Sequence, residues 1–341
     1  AQKNFDTEIE DAVLLLESRE VTVNGDGTKS TRVHTVVWIT SSVGIRGYAD
    51  LRVPWDMATS ELEVEVLRTW MDQRWWPDPV EISETAVVHT LPHALRTAHD
   101  YTTMRETMLL HDGVELPCIM ETVYTITEQM AFDHADGLMV LPQRDPAVRV
   151  ELTVKAPTGV EVKHEAMNGA PEVVVDNADG QLVMTWAMNN VAPLKMPVTS
   201  APERYEPAVV WSTWPDWETV NRDWMASVDG AAVLTPALAD SLDGMVADHS
   251  GFARRMPVFS HWIDETVRPV NYGPEIWFGR PRAALETFRT GYGHALDRAA
   301  LFAALDGGGE FHVPVFFVGQ PGPAVAPSVP RLSGLGQMMV G

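Results

Sequence analysis

From about residue 18 to about residue 195 the chain repeats one pattern, in which short runs carry an apolar residue at every second position and turns built on glycine separate them. Val148, Val150, Leu152 and Val154 alternate with Arg149, Glu151, Thr153 and Lys155, which turns one face of a strand into a core and the other into water. Leu62, Val64, Val66 and Thr69 keep the same period. Val21 and Val23 lead into Asn24-Gly25-Asp26-Gly27, whose glycines supply positive φ, and the β-branched run Val33 to Thr40 pairs back as a hairpin. His111-Asp112-Gly113, Pro157-Thr158-Gly159 and Asn177-Ala178-Asp179-Gly180 are further turns, each followed by an apolar run. Short strands punctuated in this way predict an antiparallel β-sandwich. Ahead of it, Ile9, Ala12, Val13 and Leu16 stand at helical spacing and predict a short helix over Phe5 to Leu16.

The pattern then changes. Ala192 to Pro207 carries four prolines, a composition suited to a linker or a crossing between domains. Trp211, Trp214 and Trp217 follow in quick succession, and beyond them helical spacing appears at Trp217 to Ser227, Thr235 to Ala247, Met256 to Val267 and Arg282 to Phe288. A helix beginning near His294 and a strand at Val313 to Val318 complete an α+β second half. The expected division is a β domain over 1–195, a Pro/Trp-rich joint over 196–218 and an α+β domain over 219–341.

A chain of 341 residues with 45% hydrophobic content has ample material for packed cores. No window approaches eighteen uninterrupted apolar residues, so no transmembrane segment is expected. The formal net charge of −22 repels phosphate backbones, which argues against nucleic acid and anionic lipid surfaces as partners. The start at Ala1-Gln2 shows no basic or apolar leader, as expected where a targeting peptide is absent or already removed. A single cysteine, Cys118, excludes an intrachain disulfide.

Several segments carry a resemblance. Val21-Thr22-Val23-Asn24 with Asp26-Gly27, the strand Leu116 to Ile126, and the tryptophans at 211 to 217 are similar to bacterial proteins that pair the domain of unknown function DUF3857 with a transglutaminase-like domain of the papain-like superfamily. The most specific part is C-terminal: Trp262 to Arg268, then Pro281-Arg282-Ala283-Ala284-Leu285-Glu286, then Gly293-His294-Ala295-Leu296-Asp297-Arg298-Ala299-Ala300-Leu301. In that family the last run reads R-x-G-D-C-x-D-x-A-x-L, with the catalytic cysteine at the start of a helix.

The departures matter more than the match. Ala295 stands where the resemblance places the cysteine, and His294 replaces the acidic residue before it. The family's histidine falls at Gln337 in the run Leu335 to Val340, and its third member falls beyond Gly341, so a truncated domain is expected. A thiol at a helix N-terminus is activated by the helix dipole and a nearby imidazolium; alanine supplies no nucleophile and glutamine no base. His294, Ala295, Asp297 and Gln337 are therefore expected to mark a vestigial site with no catalytic residues, in which the helix dipole favours Asp297 and His294 helps cap the helix.

Other candidates are weaker. His89 and His93 have the spacing of metal ligands, but Pro92 breaks any helix that would present both, and no cysteine pair or HExxH motif accompanies them or His99 and His111. No metal or cofactor is expected. Trp75, Trp76, Trp211, Trp214 and Trp217 are possible interface anchors, with packing at a domain joint as the alternative for the last three. The resulting expectation is a non-enzymatic scaffold or binding subunit, a pseudoenzyme that contacts a protein partner or membrane complex. The resemblance implies a periplasmic, bacterial-envelope setting. A cysteine-type amide hydrolase or acyltransferase inactivated by substitution or truncation, and a peptide- or glycan-binding module, stand as alternatives.

Overall fold

The computed structural model describes residues 10–71, 73–76, 82–101, 103–178, 180–194, 202–246, 252–270, 279–305, 315–318, 326–333 and 337–340. The chain divides into two compact units, the first made of residues 1–91, 103–215 and 324–333 and the second of 92–102, 216–323 and 334–341.

The first unit runs β1 (Ala12–Val23), β2 (Thr28–Ile39), α1 (Ser42–Tyr48), β3 (Asp50–Asp56), β4 (Ser60–Met71), β5 (Arg74–Trp76), β6 (Val87–Thr90) and β7 (Met104–Leu110). It continues with β8 (Cys118–Gln129), β9 (Asp136–Val140), β10 (Ala147–Pro157), β11 (Lys163–Met167), β12 (Val174–Ala178), β13 (Gln181–Val191) and β14 (Ala208–Ser212). Eight strands form one sheet in the order β12-β13-β10-β1-β2-β8-β4-β5, and two three-stranded sheets have the orders β11-β14-β9 and β3-β7-β6.

The expected hairpin is β1–β2, with Val23 opposite Lys29. Its turn is closed by Asp26, whose Oδ1 accepts the Thr28 amide at 3.0 Å, while Gly27 takes φ 86°. Sequence alternation becomes a buried face as expected: Val150, Leu152 and Val154 of β10 are at most 1% exposed, each contributing about 1.5–3 kcal/mol. Met139, Val209 and Trp211 of the β11-β14-β9 sheet pack into the same core. Val53 and Leu109 of the β3-β7-β6 sheet pack against Leu67, Val64 and Ile126 of the large sheet.

Three expectations are corrected. Residues 5–9 of the expected N-terminal helix lie outside the described residues, and from Ala12 onward the segment is strand β1. The apolar run AVLLL fits either period, and pairing on both sides, with β2 and with β10, decides it. The large sheet is not wholly antiparallel, because β1 and β10 pair in parallel, with Val21 opposite Val154. Finally, the expected joint contains β14, the centre of a sheet, with Val209 and Val210 fully buried. Its apolar run Ala208–Trp211 is core material.

Residues 326–333 also belong to this unit. Ala326 and Val329 pack on Val210, and the Asp136 carboxylate accepts the amides of Leu332 at 3.0 Å and Ser333 at 2.7 Å. The same carboxylate accepts the indole N–H of Trp214 at 2.9 Å.

The second unit contains α2 (Trp217–Ala231), α3 (Pro236–Val246), α4 (Phe252–Thr266), β15 (Arg268–Pro269), α5 (Ala284–Thr290), β16 (Tyr292–Gly293), α6 (Ala295–Leu305), β17 (Val315–Val318) and β18 (Gln337–Val340). Asp216 caps α2 by accepting the Thr219 amide at 2.7 Å. Leu238 of α3, Phe259 and Ile263 of α4, and Leu301 and Ala304 of α6 form its core. The chain is thus mixed α+β with a β-rich N-terminal part. Among the described residues no helix is long and apolar enough to cross a membrane.

Gly137 on β9 gives a direct test of the packing between neighbouring strands. A Cβ there would lie 2.5 Å from the indole nitrogen of Trp211, an atom of a rigid buried ring. Gly137→Ala is expected to destabilise the protein by about 1–3 kcal/mol, read as a lower denaturant midpoint by tryptophan fluorescence.

Candidate functional site

The segment from Arg289 to Leu305 is a helix end, a two-residue strand and a new helix. Gly291 ends α5 in the left-handed conformation, φ 67°, with its amide bonded to the Thr287 carbonyl at 3.1 Å. Tyr292 and Gly293 then pair with Arg268 and Pro269. Gly293 is required by a close approach: a Cβ there would lie 2.8 Å from the Asp297 Cβ. Ala295 opens α6, in the position at a helix N-terminus where a thiol would be activated.

Around Ala295 the polar groups are engaged with one another. Asp297 is fully buried; its Oδ1 accepts the Arg282 amide at 2.7 Å and its Oδ2 accepts the Tyr101 hydroxyl in a short hydrogen bond. The Tyr101 hydroxyl in turn accepts the His294 amide at 3.3 Å. The Arg282 guanidinium lies over the rings of Tyr101 at 5.1 Å and Tyr292 at 5.6 Å. It also donates to Asp100 Oδ2 at 2.7 Å. Tyr292 closes the circuit by accepting the Asp100 amide at 3.1 Å. Burial and the neighbouring Asp297 carboxylate raise the Tyr101 pKa, so this phenol stays a donor.

His294 is 4% exposed, and its Nδ1 accepts the Leu296 amide at 3.2 Å, which caps α6. Its Nε2 lies 3.2 Å from Asp297 Oδ1, close enough for an ion pair. Burial nevertheless outweighs that carboxylate and, with Arg282 acting in the same direction, lowers the pKa to about 4. The ring is therefore neutral near pH 7, with Nδ1 as acceptor and the proton on Nε2. The expected capping by His294 and the first-turn carboxylate of Asp297 are both present. The backbone of Gln337 stands opposite Val318 on β18, which runs beside α6; its side chain lies outside the described residues.

The remaining candidates scatter. Trp211 and Trp214 are 3% and 1% exposed and fill the core of the first unit, whereas Trp217, at 40%, is exposed at the start of α2. Trp75 meets Trp70 edge-on at 5.3 Å beneath the Arg68 guanidinium, and the side chain of Trp76 lies outside the described residues. His89 sits on β6 bonded to Thr107 at 2.8 Å; His93 and His99 lie in short 3-10 turns. His111 is bonded to both Thr69 and Thr122, and burial lowers its pKa to about 4. Among the described residues no three His, Cys, Asp or Glu side chains converge as metal ligands would. Cys118 is a buried β8 residue whose thiol pKa is raised by burial, the opposite of an activated nucleophile. Tyr101, Asp100 and Tyr292 carry no motif that singles them out in the sequence.

Residues 25–195, half of the chain, match the domain of unknown function DUF3857, a domain with a solved structure. The chain belongs to the DUF3857 family. No curated protein matches it. Among solved structures, this DUF3857 protein is similar to one titled a "putative protease" from Parabacteroides distasonis ATCC 8503, with 17% identity and a TM-score of 0.82 over 97% of the present chain. That likeness is one of fold, and the present chain covers 65% of the other's length. An M1 zinc metallopeptidase from Deinococcus radiodurans matches at 12% identity over 60% of this chain and 42% of its own, with a TM-score of 0.28 that carries no argument.

The buried histidine sets a pH dependence. In the unfolded chain His294 titrates near 6.5, and in the folded protein near 4. Its contribution is present above about pH 6.5 and is lost as pH falls toward 4, by about 3 kcal/mol across the window. Denaturant midpoints taken from pH 7 to pH 4 are expected to fall less steeply in His294→Asn, which keeps a capping acceptor but does not titrate.

Proposed function

We propose that this DUF3857 protein is a non-enzymatic binding or scaffold subunit. In this reading its β-rich unit is a DUF3857-type sandwich, and its second unit is a transglutaminase-like domain that has lost its chemistry. The observation that carries the reading is Ala295 at the N-terminus of α6, beside a neutral histidine already used as a helix cap and a carboxylate already holding two donors. A cysteine mechanism needs a thiolate and a base free to exchange protons. The nearest imidazole is buried with its acceptor nitrogen occupied.

A binding role suits the remainder. An acidic chain of net charge −22 favours a partner with basic groups over nucleic acid or anionic lipid. We place the protein in the bacterial envelope, periplasmic or otherwise extracytoplasmic, in contact with a protein partner or a membrane complex, on the strength of the family resemblance in its motifs.

The rival reading, a cysteine-type amide hydrolase inactivated by substitution, draws on the protease title of the similar structure. Installing Ala295→Cys together with Gln337→His separates the two. The double variant is expected to show no amide hydrolysis above the wild-type background on a panel of peptide anilides, while far-UV circular dichroism confirms the fold. Brisk hydrolysis by the double variant would overturn the scaffold reading, as would hydrolysis by the wild type. Affinity purification from native envelopes is expected to bring down a partner at constant stoichiometry, and recovery of free monomer alone would count against it.

A further inference from the structure

The inner face of the large sheet is a core face, and a core face should be apolar. It is interrupted. Glu17 on β1 stands opposite Thr35 on β2, and Thr35 stands opposite Thr122 on β8. One step along, Arg19 stands opposite Val33, and Val33 opposite Tyr124. Residues directly opposite in a ladder share a face, so these are adjacent rows crossing three strands. A register shift between Leu14 and Leu16 puts Leu14, Glu17, Arg19 and Val21 on the same side. Leu14 and Val21 are both in the core.

These rows floor a recess of about 320 Å³ in the first unit, near the lower end of the size range for small-molecule sites. Leu14, Leu51 and Met120 give it apolar walls, and Tyr48, Gln143 and Arg144 reach it from α1 and the β9–β10 connection. Gly47 leaves room for the Arg144 guanidinium, since a Cβ there would lie 2.5 Å from its terminal nitrogen. That guanidinium sits 5.8 Å from the Tyr48 ring centre.

Most of the polar groups in the recess satisfy one another. Thr35 donates to Glu17 at 2.8 Å, His111 is bonded to Thr69 and Thr122, and Tyr48 donates to Asp145 at 2.6 Å. Arg19 differs. Its Nε is buried and has no hydrogen-bond partner among the described residues, a state that costs about 1–3 kcal/mol or more for a charged donor. An unpaired donor on the floor of a recess calls for an acceptor from outside.

We propose that this recess binds a small organic carboxylate with an apolar body, its carboxylate on Arg19 and its body against Leu14, Leu51 and Met120. Glu17 favours this choice. Burial, working against the Thr35 hydrogen bond and the charges of Arg19 and His34, raises its pKa and so disfavours the charge that would repel a carboxylate. Arg144 also lines the recess, paired with Asp145 at 3.2 Å. An ammonium ligand would leave the buried Arg19 Nε without an acceptor. The site is independent of position 295 and of whether the second unit is an enzyme.

The test uses the full chain with hexanoate, hexylammonium and 1-hexanol as probes, followed by thermal shift and saturation-transfer NMR. Hexanoate is expected to bind and to raise Tm at millimolar concentration, with hexylammonium and 1-hexanol about tenfold weaker or worse, since one unpaired charged hydrogen bond is worth about 1.5–3 kcal/mol. Arg19→Met should keep the fold, because it removes an unsatisfied donor, and should reduce hexanoate to the level of 1-hexanol. Equal binding of hexanoate and 1-hexanol, undiminished hexanoate binding by Arg19→Met, or no hexanoate binding by the wild type would each overturn the proposal. Should Arg19→Met fail to fold, Leu51→Trp fills the recess from β3, and hexanoate binding retained by that variant overturns it equally.

Discussion

One face of an eight-stranded sheet has to be covered, and the first unit is organised by how that is done. No single element of the chain is wide enough. The face is closed in two patches, by the β11-β14-β9 sheet over the β10 side and by the β3-β7-β6 sheet over the β4 side. The need for cover explains why β14 is so thoroughly apolar and why residues 326–333 return to pack on Val210. It also locates the recess. Val37 and Met120 belong to one patch and Tyr124 to the other, and all three line it. The charged side chains of the inner face occur where neither cover excludes them.

The second unit depends on a buried carboxylate. Asp297 in the first turn of α6 is favoured by the helix dipole, but a fully buried charge also needs donors. It receives them from Arg282 and Tyr101, and Tyr101 in turn holds the His294 amide. The backbone just ahead of α6 is thereby tied through Tyr101 to Asp297, with Gly293 as the residue that permits the close approach. Such a scaffold would orient a reactive side chain at 295. Alanine stands at that position, the first residue of α6.

Much of this was legible in the sequence. Helices α2 to α6 follow from their 3.6-residue spacing, and the β1–β2 hairpin from its glycine turn. Position 295 was legible through the resemblance of Gly293 to Leu301 to the family's run, and the close approach of Gly293 to Asp297 is the packing behind two of its residues. Tyr101 was not, because the hydrogen bond to Asp297 spans 196 positions and its 3-10 turn comes in the sequence between β6 and β7, far from α6. The N-terminal helix expectation failed because five apolar residues in a row carry no period, and partners on both sides settled their conformation. The recess had a signal that was there to be read. Glu17 and Arg19 share parity with Val21 and Val23, so two charges stand in the inward register of a strand.

The parallel pairing of β1 with β10 has a further consequence. In the strand order, β12, β13 and β10 lie on one side of β1, and β2, β8, β4 and β5 lie on the other. Within the described ladder the two blocks are joined only through β1. Both blocks need pairings between distant segments: β2 meets β8 with Thr28 opposite Gln129, and the ladder to β10 pairs Glu17 with Val150. Contacts of such sequence separation form slowly, because loop-closure entropy is lost before they reward it. The family match begins at residue 25, after this strand. A domain defined by that boundary would lack its central strand and would leave two open sheet edges facing each other, each a template for pairing with another chain.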